Sequence, residues 1–304
     1  MLRELKYRIL NRKGILNKPE VDYLGDSANT TIVDALISPT PTMIARFGAF
    51  ELGMALSVYT PLNVKNLIKL TGGGIASIGY NKKLAESFCN NAGFFPNDRK
   101  QIEKYAHLLV NDMQELDVLG SWLPAERLFE KELKHCIKIP LRDLEPFHHQ
   151  MPWTLKLHNK KILVIHPFHD TIKHQWEKRK QIFKDMEIMP ECDLQIMKSV
   201  QSIAGNETGF TTWFDALAYM EDEIEKKDFD IALLGCGAYG FNLAAHIKRM
   251  GKKAVHLGGF LQILFGIMGK RWEGKYPFVN EYWTRPLDSD KPKGASSIEN
   301  GCYW

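Results

Sequence analysis

Three glycines between positions 235 and 240 are the residues whose spacing says most about chemistry. Gly235, Gly237 and Gly240 form G-x-G-x-x-G, directly after the apolar run Ile231 to Leu234 and before helical periodicity from Phe241 to Met250. Glycines let backbone N–H groups approach a phosphate, which the N-terminus of the following helix also favours. The pattern predicts a nucleotide-binding turn that includes Tyr239, although a plain strand-to-helix turn has the same glycines.

The strand after this unit argues against a dinucleotide. In dinucleotide-binding units an acidic side chain about 20 residues after the glycines holds the ribose hydroxyls. Here the predicted strand Ala254 to Leu257 offers His256, followed by Gly258 and Gly259. We therefore prefer a nucleotide or nucleotide-sugar ligand, and an NAD-dependent oxidoreductase is the weaker alternative.

A second group of polar residues follows an early strand. The strand Thr42 to Arg46 leads into R-F-G-A-F-E, in which Gly48 separates Arg46 from Glu51. A guanidinium is a planar fork suited to phosphate. The Glu51 carboxylate could hold a divalent cation, act as a base or pair with Arg46, and the spacing alone leaves these three roles open.

Two further segments supply candidate site residues. The strand Lys161 to His166 ends in H-P-F-H-D. His166 is a candidate hydrogen-bond donor to a phosphate, or a general acid, because the pKa of histidine lies near neutrality. Asp170 in that segment is predicted to cap a helix. Residues 258–272 are rich in glycine and aromatic residues, and Gln262 and Arg271 are polar members that could contact a base or sugar.

Alternating strand and helix patterns position these residues. From 160 to 265 the chain alternates between the two, which predicts an α/β fold: a Rossmann-like, mostly parallel sheet with helices on both faces. Ligands of such sheets bind at the carboxyl ends of the strands, so the residues named above should share one rim. We predict a basic helical region at 1–40 and one α/β domain at 41–304, with a helical insertion at about 82–138.

The amino-acid composition limits which classes of protein this chain can belong to. The chain has 304 residues, of which 44% are hydrophobic and 25% charged, as in ordinary globular proteins. Its five cysteines lack C-x-x-C spacing, which disfavours zinc and a disulfide framework. No signal sequence and no run of about 20 apolar residues is present, so we expect a cytoplasmic protein. Residues 1–18 predict a basic amphipathic helix that could contact an anionic membrane face or pack on its own domain.

These motifs together resemble a known family. R-F-G-A-F-E after an early strand, with a later strand, G-C-G-A-Y-G, a helix and H-L-G-G, resembles bacterial glycosyltransferases of the GT-D fold, which are met in surface-polysaccharide gene clusters. The chain also looks similar, nearly end to end, to capsule-cluster proteins that share N-A-G-F-F-P, V-I-H-P-F and the terminal C-Y-W. The resemblance implies a glycosyltransferase that uses a nucleotide-sugar donor and a glycan acceptor, lipid-linked or not, at the inner membrane face, with no nucleic-acid partner.

The chain departs from the family at two positions of the early motif. In the family that motif is R-F-G-D-G-E, and its carboxylates are implicated in metal-dependent use of the donor. Here Ala49 replaces the first acidic residue and Phe50 the glycine, whereas Glu51 remains. Either Mn²⁺ or Mg²⁺ would rely on Glu51, or the reaction needs no metal. In the latter case Arg46, the N–H groups of the glycine turn, and His166 or Arg271 would stabilise the leaving-group charge, with Glu51 free to act as base. A non-catalytic scaffold that binds the nucleotide-sugar is the remaining alternative.

Overall fold

The strands of a computed structural model form one parallel sheet. The structure describes residues 19–59, 80–184 and 186–304, so the predicted basic helix at 1–18 lies outside the described residues. Seven strands lie in the order β3-β2-β1-β7-β6-β4-β5, and every pairing is parallel. Their bounds are β1 Thr42–Ala45, β2 Val118–Ser121, β3 Ile137–Pro140, β4 Lys161–His166, β5 Asp193–Lys198, β6 Ile231–Leu234 and β7 Lys253–His256.

Nine α-helices accompany the sheet within the described residues. They are α1 Asp26–Ile37, α2 Ala49–Val58, α3 Lys82–Ala92, α4 Arg99–Asp112, α5 Glu130–Leu133, α6 His169–Trp176, α7 Arg179–Ile182, α8 Trp213–Glu225 and α9 Gly240–Arg249. Local side chains cap several of them. Asn81 and Asp98 accept hydrogen bonds from backbone N–H groups at the starts of α3 and α4, and Thr212 forms a capping box with Asp215 at α8.

The sheet separates two hydrophobic layers, as the predicted α/β class requires. Side chains alternate along each strand, so Met43 and Ala45 face one layer while Ile44 faces the other. The first layer packs against α2, α3, α4, α8 and α9. The second packs against α1, α6 and the 3-10 segment Gly258–Phe265. Because helices cover both faces, a ligand reaches the sheet at the ends of its strands. The prediction of this fold class is confirmed.

One part of the predicted organisation is wrong. The segment 82–138, predicted as a helical insertion, contains α3 and α4 but also strand β2 and the start of β3. These strands have only four residues each, V-L-G-S and I-K-I-P, and they extend the sheet beyond β1. The first half of the chain therefore contributes three strands to the same sheet. No described helix is long and apolar enough to cross a membrane.

Candidate functional site

A cavity of about 510 Å³ opens at the carboxyl edge of the sheet. This volume lies within the range of small-molecule binding sites. The four neighbouring strands β1, β7, β6 and β4 each deliver polar or glycine residues to it from their ends. The predicted site residues that line it are Arg46, Gly48, Glu51, His166, Gly235, Gly237, Tyr239, His256, Gly258, Gly259, Gln262 and Arg271.

Arg46 and Glu51 face this cavity from the end of β1 and the first turn of α2. Gly48 is the N-cap of α2, and the Glu51 carboxylate folds back over it, so a Cβ atom at position 48 would overlap that carboxylate. Burial raises the pKa of Glu51, opposed by its own backbone N–H and by the charge of Arg46. Burial also lowers the pKa of Arg46, opposed chiefly by Glu51. Each charge therefore stabilises the other inside a poorly hydrated site.

The two groups do not form a direct ion pair. No carboxylate oxygen of a described residue lies within 4.0 Å of an Arg46 nitrogen. The guanidinium instead lies over the ring of Trp122, 5.0 Å from its centroid. Trp122 in turn donates a hydrogen bond from Nε1 to the carbonyl of Phe47 (2.9 Å). Arg46 is thus held by a flat ring, which leaves its N–H groups for a ligand.

His166 contributes a hydrogen-bond donor to the cavity. It is only 2% exposed, and its Nδ1 accepts a hydrogen bond from the backbone N–H of Phe168 (2.9 Å). Burial lowers its pKa to about 3. The imidazole is therefore neutral near pH 7, with its proton on Nε2. It suits hydrogen bonding to a phosphate oxygen better than acid catalysis at neutral pH.

The neutral imidazole of His166 should make the stability of the fold depend on pH. Below pH 6.5 an unfolded chain protonates His166, whereas the folded chain resists until about pH 3. Wild type should therefore lose stability relative to His166→Asn, whose amide oxygen can replace Nδ1, by about 1.4 kcal/mol per pH unit below 6.5. Urea unfolding of both proteins at pH 7.5, 6.0 and 5.0 measures this. A stability difference that stays constant with pH would contradict a buried neutral imidazole.

His256 has the opposite proton arrangement. It is 4% exposed, and its Nδ1–H donates to the carbonyl of Leu234 (3.3 Å), which leaves Nε2 as an acceptor. Burial, with a smaller effect of the Arg46 charge, lowers its pKa to about 3. The ring lies against Gly240, which does not line the cavity, and a Cβ atom at 240 would overlap it. Gly240 therefore provides room for His256 rather than touching a ligand.

Gly240→Ala should consequently destabilise the fold although it lies in a helix. We expect a loss of about 1–3 kcal/mol in the free energy of unfolding from overpacking against His256. Gly53→Ala is the matched control, because it also lies in a helix and its Cβ would approach Leu84 only to 3.3 Å. Denaturant unfolding should also show that His256→Ala partly rescues Gly240→Ala. Equal stability of the two glycine variants would contradict this packing.

The other turn glycines allow close approaches of the protein to itself. A Cβ atom at Gly235 would meet the carbonyl of Gly258 and the His166 ring at 2.7 Å, and Gly237 has φ +59° with the carbonyl of Ala92 2.9 Å from its Cβ position. Tyr239 stacks on Trp213, with ring centroids 5.0 Å apart. The turn thus brings several chain segments together at the start of α9, whose N-terminal N–H groups favour an anion.

Two predicted ligand contacts are engaged within the protein. The amide nitrogen of Gln262 donates to the carbonyls of Ile267 (3.0 Å) and Tyr303 (3.2 Å), and this side chain is fully buried. Arg271 forms an ion pair with Glu299 and donates to the Tyr303 hydroxyl (3.2 Å). Both residues hold the C-terminal segment as a wall of the cavity. The C-terminal tail therefore packs back on the domain.

The helix cap predicted at Asp170 is wrong. Helix α6 begins one residue earlier, at His169, and neither residue lines the cavity. Asp290 supplies the cap from the C-terminal segment, because its carboxylate accepts hydrogen bonds from the Thr171 N–H and hydroxyl, both at 2.7 Å. Asp170 instead pairs with the neighbouring His169 ring (2.7 Å). A distant carboxylate thus replaces the local one.

The sequence patterns missed several cavity residues. They come from the segments after β2, β3 and β5 and from the C-terminal tail, where the residue types did not indicate a site. Trp122 follows a strand that was predicted as helix, and Tyr303 reaches the site only through folding of the tail. The missed lining residues include Trp122, Glu145, Ser199, Ser202, Glu299 and Tyr303.

The early motif offers a divalent cation only one carboxylate. Position 49, where the resembled family has its other acidic residue, contributes only a methyl group to the cavity. Glu51 is therefore the one carboxylate of this early motif, and the neighbouring positive charge of Arg46 opposes binding of a second cation there. Within the described residues no group of three His, Cys, Asp or Glu side chains is placed to hold a metal ion.

Comparisons with known proteins add a distant structural similarity. No protein-family model and no curated protein matches the chain. Among solved structures it is similar to a selenomethionine-substituted domain of unknown function 1792, with 12% sequence identity and a TM-score of 0.36, over 93% of this chain and 96% of that chain. This sequence identity and this TM-score are too low to support a functional assignment, which must therefore rest on the geometry of the site.

Proposed function

We propose that this chain is a glycosyltransferase that moves a sugar from a nucleotide-sugar to a glycan acceptor. The observation that carries the proposal is the arrangement of Arg46 and Glu51. Both face one cavity at the carboxyl rim of the sheet, Arg46 is held by Trp122, and the two charges influence each other without a direct ion pair. A diphosphate needs such a cation, and an acceptor hydroxyl needs such a carboxylate.

The reaction follows from these roles. Glu51 takes the proton of the acceptor hydroxyl as its oxygen bonds to the anomeric carbon of the donor. The bond from that carbon to the diphosphate oxygen breaks, and its electron pair leaves with the nucleoside diphosphate. Arg46 and the Nε2–H group of His166 stabilise the charge that develops there, and donors held in place in this way can contribute several kcal/mol.

We propose that this chain carries out the step without a metal held by Glu51. The Glu51 carboxylate already interacts with Arg46, and the positive charge of Arg46 can replace that of a metal cation at the leaving group. Nucleotide-sugar binding should therefore be the same in EDTA as in Mn²⁺ or Mg²⁺. This scheme accommodates either a soluble or a lipid-linked acceptor. The membrane contact through 1–18 and the cytoplasmic location remain predictions.

A second candidate function is a nucleotide-sugar-binding scaffold without turnover. The observation that favours it is the loss of a carboxylate at Ala49, which faces the cavity. The oxidoreductase is weaker, because the residue at the expected ribose position is the neutral, buried His256. Binding and turnover must therefore be measured separately.

A thermal-shift screen tests the proposal. The full chain is heated with nucleoside diphosphates, nucleotide-sugars and NAD(P), each with EDTA, Mn²⁺ or Mg²⁺. A ligand at 100 times its Kd adds about 2.7 kcal/mol, so a binding nucleotide-sugar should give a clear shift. Hydrolysis of that donor then separates an enzyme from a scaffold. Stabilisation by NAD(P) alone would refute the transferase, and a shift that needs Mn²⁺ would refute the metal-free scheme.

A further inference from the structure

A second cleft lies beside the first cavity and has a different chemistry. It measures about 710 Å³ and lies between the end of α3, the segment 94–97 and the loop that follows β5. Three aromatic rings, three amides and two carboxylates contribute to its walls. The lining residues are Glu86, Cys89, Asn90, Phe94, Phe95, Asn97, Ser202, Ala204, Gly205, Asn206, Glu207, Thr208, Gly209 and Phe210. We call this group the second cleft.

The charged residues that line the two sites differ, so the sites favour different ligands. The first cavity contains two arginines, Arg46 and Arg271, beside its three carboxylates. The described lining of the second cleft has carboxylates, Glu86 and Glu207, but no lysine or arginine. A diphosphate would be repelled from the second cleft. Half-buried aromatic faces such as Phe95 and Phe210, beside amide and carboxylate groups, suit the apolar faces and hydroxyls of an uncharged sugar.

The two sites meet at a thin boundary. Ser202 lines both of them, and its hydroxyl donates to the carbonyl of Gly93 and lies 3.2 Å from the hydroxyl of Tyr239, a residue of the first cavity. Asn90 of the second cleft donates to Asn91 of the first cavity (2.8 Å). A molecule in the second cleft would therefore lie next to whatever occupies the glycine turn.

The loop that forms one wall is held in place. Asn206 donates to the carbonyl of Ile203 (2.7 Å) and to that of Lys293 in the C-terminal segment (2.8 Å). Ala204 has φ +54°, a left-handed conformation that this residue type rarely adopts. The two hydrogen bonds of Asn206 compensate for that backbone conformation and keep this loop beside the first cavity.

We propose that the second cleft binds the acceptor as an uncharged oligosaccharide. This proposal rests on the proposed function, because it places the acceptor next to a donor in the first cavity. The hydroxyl that Glu51 deprotonates would then belong to a sugar whose neighbouring units lie against Phe95 and Phe210. Donor and acceptor binding should be separable by mutation, since the two sites share only Ser202 among their described lining residues.

An array of immobilised uncharged oligosaccharides, probed with the full chain, tests this assignment. We expect retention of wild type on at least one member of the array and a loss of tenfold or more for Phe210→Ala combined with Glu207→Gln. That variant should keep the wild-type thermal shift with nucleotide-sugars, which also shows that it is folded. Tyr23→Ala is the matched control, because Tyr23 is an exposed aromatic residue that lines neither site.

The possible outcomes separate the two proposals. If nucleotide-sugars bind but no oligosaccharide retains wild type, or if the double variant binds as wild type does, the second cleft is not the acceptor site and the transferase assignment stands. If an oligosaccharide is retained while no nucleotide-sugar binds, the donor site fails and the acceptor role fails with it. Loss of retention in the double variant alone, with nucleotide-sugar binding intact, supports the proposal.

Discussion

Glu51→Gln is expected to lower the turnover of sugar transfer by about 10²–10⁴-fold while nucleotide-sugar binding remains. The amide keeps the size of the carboxylate and can still contact the start of α2, but it cannot take a proton. Glu145 and Glu299 also line the cavity, but they are engaged with Tyr276 and Arg271, so we expect neither to replace Glu51 as the base. Single-turnover assays with radiolabelled donor, together with thermal shifts, measure the two effects separately.

Gly48→Ala tests the position of Glu51 rather than its charge. Gly48 has φ −77° and ψ 148°, which alanine adopts readily, but the added Cβ would occupy the place of the Glu51 carboxylate. We expect a similar loss of turnover together with a loss of about 1–3 kcal/mol in stability, because the buried carboxylate must move and alanine is a poorer N-cap than glycine. Normal turnover in both variants would remove Glu51 from the mechanism.

The pH dependence of the reaction should also report on Glu51. Burial raises its pKa from the ordinary value of 4.5, and a base must be ionised, so kcat/KM should rise with pH through a midpoint above 4.5. His166 and His256 remain neutral throughout that range, because burial lowers the pKa of each to about 3. A profile that instead falls through pH 6.5 as pH rises would indicate a protonated histidine as the essential acid.

Arg46→Met is the second substitution with a large expected effect. It should lower kcat/KM by about 10²–10³-fold, the usual cost of removing one donor from a developing negative charge. It should also weaken binding of the nucleoside diphosphate itself, unlike Glu51→Gln. Because the positive charge of Arg46 holds down the pKa of Glu51, the acid limb of any residual activity should move to higher pH. Calorimetric titration with the diphosphate and a pH–rate series measure both.

Arg46→Lys is the control that separates charge from geometry. Lysine keeps the positive charge but loses the planar fork and the stacking on Trp122. We expect a loss of affinity between that of wild type and that of Arg46→Met, and a smaller loss for Trp122→Phe, which keeps a ring but not the hydrogen bond to Phe47. Wild-type diphosphate affinity in Arg46→Met would show that the phosphates bind elsewhere.

Local patterns were enough for the centre of the sheet. Strand β6, the glycine turn and α9 were predicted almost to the residue, because an apolar run, closely spaced glycines and a helical period are all properties of neighbouring residues. The same is true of β4. Since parallel strands end at a common edge, these patterns also brought Arg46, Glu51, His166 and His256 to one rim before any contact was known.

Long-range packing decided the remaining features. Strands β2 and β3, V-L-G-S and I-K-I-P, lack the continuous apolar run of β6, and their place in the sheet depends on pairing beside β1. Trp122 under Arg46, Asp290 at α6 and Tyr303 in the cavity wall all come from segments distant in the chain. Such contacts depend on which surfaces meet in space, whereas sequence periodicity reports only which way each side chain faces.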